Sequence, residues 1–187
     1  MQPYVLTVDM SGLPQAWVEL EEAITYHAKN MVAWSLGNPL AVFHGGWDHQ
    51  GRRSEIETKS IIAIKGSNHG AKLIGQQPGL TNNLLFNRDR YTCAYCGDHY
   101  LPKHLSRDHI LPVSRGGKNS WTNVVTACRH CNTKKSNKTP EEAHMVLLYI
   151  PYVPNRYEHF ILRNRRILAD QMDYLMAGVP QSSRLHG

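Results

Sequence analysis

The chain has 187 residues, 41% of them apolar and 19% charged, which is enough for one or two compact domains with a real core and excludes wholesale disorder. Its longest apolar run, residues 145–150, is far short of the roughly 20 residues of a membrane span, and the start MQPYVLTVDMSG lacks the basic and apolar stretches of a signal peptide. A soluble, intracellular protein with no membrane partner is expected. Lys plus Arg is 21 against 15 for Asp plus Glu, giving +6 and a pI near 9.2. The charge is local: residues 1–80 carry a net −1, residues 81–150 a net +5, and residues 151–187 a net +2. A basic middle suggests an anionic partner, for which a nucleic-acid backbone is the usual candidate.

The first 80 residues read as a small α/β region. Residues 4–8 form a β-prone run that Ser11-Gly12 and Pro14 end. Residues 16–29 show helical spacing, with Trp17, Leu20 and Ile24 on one stripe. Residues 31–36 and 59–64 read as strands, and FHGGWDHQGRR between them as a Gly-rich loop. Gln76-Gln77-Pro78-Gly79 marks a boundary, followed by a short helix over 81–88. Thr139-Pro140-Glu141-Glu142 predicts a helix start with a capping box, and Asn155 with Glu158 predicts another, running to Gly178. The stripe of this last helix (Phe160, Ile161, Leu168, Met172 and Leu175 among others) is too wide to leave in water. It docks on its own chain or forms a homodimer with a second copy. The expected organisation is therefore 1–80, 81–150 and a helical extension over 151–187.

All four cysteines fall in two pairs, Cys93-Ala94-Tyr95-Cys96 and Cys128-Arg129-His130-Cys131, separated by 31 residues. Two residues between thiolates let one turn aim both sulfurs at a single ion, and two such knuckles complete a tetrahedral four-cysteine site for structural zinc. Two disulfides are the alternative.

Between the knuckles stand Arg107-Asp108-His109-Ile110-Leu111-Pro112 and then Ser120-Trp121-Thr122-Asn123, while Asn132 and Lys135 follow the last cysteine. The order Asp-His, then Asn, then Cys-x-x-Cys-Asn-x-x-Lys resembles the HNH endonuclease family without a gap from about residue 88 to 142. The flanking thirds look like short bacterial and phage HNH proteins. The resemblance implies an α+β chain with a ββα-metal (His-Me finger) core: strands near 108–111 and 124–127, a helix from about Arg129, and a zinc on the four cysteines. It further implies that Asp108 and Asn132, hard oxygen donors, hold Mg2+ or Mn2+, and that His109 is the general base. Histidine's ordinary pKa of about 6.5 suits that task. Asn123 fastens the loop after the base. Because Asp108 and His109 are adjacent, a regular strand would point them to opposite faces.

Arg107, Arg115, Lys118, Arg129, Lys134, Lys135 and Lys138 surround this segment in sequence and are the candidate phosphate contacts to DNA. His130 is a phosphate contact or a spectator. The sequence His44-Gly45-Gly46-Trp47-Asp48-His49 reads as an ordinary loop and not as a second metal site. The expected activity is metal-dependent hydrolysis of DNA. A non-catalytic zinc-braced DNA-binding module is the alternative.

Overall fold

The computed structural model describes residues 3–66, 77–164 and 166–186. The chain is a mixed α+β protein that divides into two compact units, one of residues 1–76 and 164–178, the other of 77–163 and 179–187. Residues 151–187, expected as one extension, are thus shared between them. Gln76 of the expected boundary and Arg165 of the expected last helix lie outside the described residues.

The first unit is built on a four-stranded sheet of order β2-β1-β4-β3. Strand β1 (Val5–Val8) is buried along its whole length, because it lies between antiparallel β2 (Pro14–Val18) and parallel β4 (Arg53–Ile64). The helix expected over 16–29 begins only at α1 (Leu20–Ala28). Residues 14–18 instead bury their two ends and pair with β1, after a turn in which the Asp9 carboxylate accepts the Ser11 and Leu13 amides at 2.9 and 3.0 Å. Pro14 is tolerated because it opens an edge strand. Strand β3 (Val32–Trp47) runs far past the expected end at residue 36. The Gly-rich stretch is the end of a β3–β4 hairpin: pairing continues from Val32 opposite Ile64 to Trp47 opposite Arg53, with Pro39 at a register irregularity. His44 meets Glu55 at 3.1 Å across this hairpin. The core joins Val5, Val18, Leu20, Ala23, Ile62 and Ile64.

The expected last helix is two helices, the first ending at Arg163 and the second beginning at Ala169. One half, α5 (Ala169–Met176), belongs to the first unit. There the Gln171 amide donates to the carbonyls of Tyr4 and Ser60, both at 2.8 Å, and Leu175 is fully buried. The other half, α4 (Arg156–Arg163), buries Phe160 and Leu162 in the second unit. Its start is capped as expected: Asn155 and Glu158 each accept the other's backbone amide, at 2.8 and 2.6 Å. Of the apolar residues that motivated a dimer, Phe160 and Leu175 are buried within the chain, and Ile161, Leu168 and Met172 are half-buried.

In the second unit, α2 (Asn82–Arg88) starts where Thr81 accepts the Leu84 amide at 3.2 Å. Leu84, Leu85 and Phe86 pack with Leu105, Trp121, Val124 and Leu162. Arg88 is fully buried yet satisfied. It pairs with Asp89 at 2.8 Å and donates to the carbonyls of Trp121, Val124 and Tyr152 at 2.8–2.9 Å. Such complete pairing is what a buried charge requires. Asp89 in turn accepts the Thr126 amide at 2.8 Å, which fixes strand β6 (Val124–Cys128). Strand β5 (Leu105–His109) pairs with β6 antiparallel, and α3 (Arg129–Lys135) follows directly. The Thr139–Glu142 capping box forms, but it closes a single turn and no helix, because His144 adopts φ +52° and turns the chain away.

Candidate active site and cysteine cluster

The sulfurs of Cys93, Cys96, Cys128 and Cys131 all lie within 4.8 Å of one another, and none is in a disulfide. Three of these cysteines are buried and Cys96 is exposed. Two backbone amides point at sulfur, Tyr95 to Cys93 at 3.5 Å and Cys131 to Cys128 at 3.3 Å. Amide donors of this kind stabilise thiolate charge. Burial, followed by the neighbouring sulfur of Cys128, holds the Cys131 thiol well above its ordinary pKa. Such packed thiols need a cation to share their charge as thiolates. Four soft donors at mutual contact distance fit zinc.

Strand β5 ends at His109, two residues earlier than the sequence suggests. The final backbone link across the sheet is the Ile110 amide to the Asn123 carbonyl at 2.9 Å. Beyond it the side chain of Asn123 takes over. Its oxygen accepts the Leu111 amide at 2.9 Å, and its amide donates to the carbonyls of Leu111 and Lys118 at 3.0 and 2.9 Å. One side chain therefore closes the 111–118 loop. Gly117 is required there, since a Cβ would lie 1.8 Å from the Leu111 carbonyl oxygen.

Asp108, His109 and Asn132 line one cleft of about 300 Å³, together with Arg107, Pro112, Val113, Ser114, Ser136 and Asn137. Asp108 is only 4% exposed, whereas His109 is half-buried at the strand end, where the chain bends. The conflict posed by adjacent strand residues is resolved by this position: Asp108 turns inward and His109 sits at the exit from the sheet. The His109 Nε2 is shielded and has no hydrogen-bond partner among the described residues. Asn132, midway along α3, donates to Ser106 Oγ at 2.8 Å and to the Arg107 carbonyl at 3.2 Å. Both donors are directed at β5, which leaves the amide oxygen as the group available to a cation. A carboxylate and an amide oxygen on one cleft are a donor set suited to Mg2+ or Mn2+.

Both oxygens of Asp108 are already hydrogen-bonded. Tyr95 donates to Oδ2 at 2.5 Å, and the Lys135 ammonium donates to Oδ1 at 3.0 Å and to the His109 carbonyl at 2.8 Å. Burial and the adjacent Asp108 carboxylate push the Tyr95 hydroxyl well above its ordinary pKa, so it stays a donor at any working pH.

Lys135 corrects the sequence reading. It is fully buried and ion-paired, so it cannot meet a DNA phosphate. Arg115 is engaged by Glu142, and Arg107 is partly buried, donating to Asn119 at 2.7 Å. Arg129 is exposed and donates to the Lys103 carbonyl at 3.1 Å. Lys118, Lys134 and Lys138 are exposed, as is His130.

The sequence reading gave Tyr95 no role and Lys135 the wrong one. A signal existed for both: Tyr95 sits inside a knuckle, and Lys135 stands four residues past Cys131, on the same helix face.

A two-stranded antiparallel sheet running straight into a helix, with these polar residues on one cleft and four clustered cysteines, is the ββα arrangement that the resemblance implies. Residues 93–148 match the model of the family described as HNH endonuclease, so the resemblance carried by the motif holds over that segment. No curated protein matches the chain. Among the described residues no helix is long and apolar enough to cross a membrane.

Proposed function

We propose that the 77–163 region is a metal-dependent endonuclease that hydrolyses DNA phosphodiester bonds and leaves a 5′-phosphate. The supporting observation is the convergence of Asp108, His109 and Asn132 on one cleft within a segment of the HNH endonuclease family. Zinc on the four cysteines fills its coordination with protein sulfur, so it braces the fold and leaves no position for chemistry. Asp108 and Asn132 would hold a divalent ion, which would supply Lewis acidity to the phosphate and the leaving oxygen.

The remaining work belongs to the chain. His109 takes the proton from the attacking water, which requires a neutral imidazole held at a fixed angle. Asn123 supplies that rigidity by fastening the loop that leaves the base. Arg107 meets a phosphate from the cleft wall, while Lys118, Arg129, Lys134 and Lys138 contact the backbone further out. These contacts give affinity with little sequence information.

A plasmid-nicking assay with Mg2+, Mn2+ and EDTA lanes tests the proposal. Relaxed or linear DNA in the metal lanes, and none with EDTA, is expected. Binding without cleavage in every lane would leave a zinc-braced DNA-binding module in its place.

A further inference from the structure

Asp108 is held at both oxygens, and each hold originates in a different cysteine knuckle. Tyr95 stands between Cys93 and Cys96, and its hydroxyl reaches Oδ2 at 2.5 Å. Lys135 stands one helical turn past Cys131 on α3, and its ammonium bridges Oδ1 and the His109 carbonyl. Asp108 is 4% exposed and Lys135 is fully buried, so their ion pair is largely shielded from solvent. A carboxylate offers about four acceptor positions, and these two bonds leave about two for a cation. The side-chain torsions of Asp108 are therefore set by Tyr95 and Lys135, and the positions of those two groups are set by the cysteine cluster.

We infer that Tyr95 and Lys135 are positioning residues through which the four-cysteine cluster orients Asp108, so that metal at the cluster preorganises the separate divalent-ion site. This rests on the nuclease reading above. The cluster then does more than hold the fold. An ångström of movement in the first knuckle carries the Tyr95 hydroxyl with it and turns the carboxylate away from Asn132. Lys135 ties the same event to the base, because it grips the His109 carbonyl as well. Partners of a ligating carboxylate typically change metal affinity or activity by about 10–100-fold when removed.

Tyr95→Phe in the full chain tests this, because it deletes one hydroxyl and keeps the ring inside the knuckle. Zinc is counted by elemental analysis, Mn2+ affinity is read from the electron paramagnetic resonance of free Mn2+, and kcat and KM are measured on plasmid DNA. The expected result is one zinc per chain, a DNA KM within about twofold of wild type, and Mn2+ binding weakened by about 10–100-fold. The loss in kcat at low Mn2+ should be largely recovered in excess Mn2+. Lys135→Arg, which keeps the charge and moves the donor, should weaken Mn2+ binding in the same way and serves if Tyr95→Phe fails to fold. A lower melting temperature with unchanged Mn2+ affinity and unchanged kcat would overturn the inference and leave Tyr95 and Lys135 as stabilising groups only. A wild-type protein that neither binds Mn2+ at this site nor cuts DNA would overturn the nuclease reading, and the inference with it.

Discussion

Lys134 and Lys135 are neighbours in sequence, and the structure gives them opposite consequences. Lys135→Met removes the ammonium from a fully buried pair and leaves the Asp108 carboxylate, 4% exposed, with Tyr95 as its only remaining partner among the described residues. Breaking a buried pair from one side costs about 3–5 kcal/mol. For a domain of 60–100 residues each kcal/mol moves the melting temperature by about 4–8 °C, so a fall of at least about 12 °C is expected. Lys134→Met removes an exposed charge and should change stability by no more than about 0.5 kcal/mol. Its effect should appear in DNA binding, as weaker affinity for every sequence and a salt dependence shallower by about one unit. Thermal melts by circular dichroism and salt titrations by fluorescence anisotropy, run on both variants, separate the two. A Lys135→Met protein that melts like wild type but loses DNA affinity would refute the buried clamp and return Lys135 to the DNA surface.

Three further outcomes are expected. Cys128→Ser should lower zinc content, melting temperature and cleavage together, because binding energy at a four-cysteine zinc site is folding energy; retained stability without zinc, seen by elemental analysis and melting, would contradict it. Asn123→Ala removes three side-chain bonds to the loop backbone, at a part-exposed site where each contributes about 0.5–1.5 kcal/mol. Cleavage should fall more than DNA affinity, measured side by side. The third concerns pH: burial, then the charges of Arg163 and Arg156, lower the pKa of His159, so below about pH 6.5 the unfolded chain binds a proton that the folded chain resists. The melting temperature should drop from about pH 7.5 to about pH 5.5, and His159→Gln should flatten that drop; an equal drop in both proteins would remove His159 as its source.

The site was more legible in the sequence than the fold around it. Cysteine spacing and the Asp-His, Asn, Asn order are local signatures, since a ligand set must be written into short turns and helix starts. Partners made at long range were not legible. Arg88 is satisfied by carbonyls 33 to 64 residues away, and Lys135 by a carboxylate 27 residues back. In a basic segment Lys135 therefore reads as a phosphate contact. The 16–29 stretch misled for another reason: apolar residues at 17, 20 and 24 fit a helix, while Pro14 to Val18 also fit an edge strand, and pairing with β1 decided it. The Gly-rich 43–53 stretch became a hairpin because a partner strand was present, which composition does not record. The helices ending at Arg163 and beginning at Ala169 carry apolar residues that continue a single sequence pattern, and the chain changes unit between them.

The central claim is that His109 activates water beside an ion on Asp108 and Asn132. Plasmid cleavage by His109→Ala, measured beside its zinc content and DNA affinity, tests it most directly. Zinc content and affinity are expected to stay near wild type while cleavage falls by about 10²–10⁴-fold, the usual contribution of a positioned base. Cleavage by His109→Ala as fast as by the active wild type would contradict it.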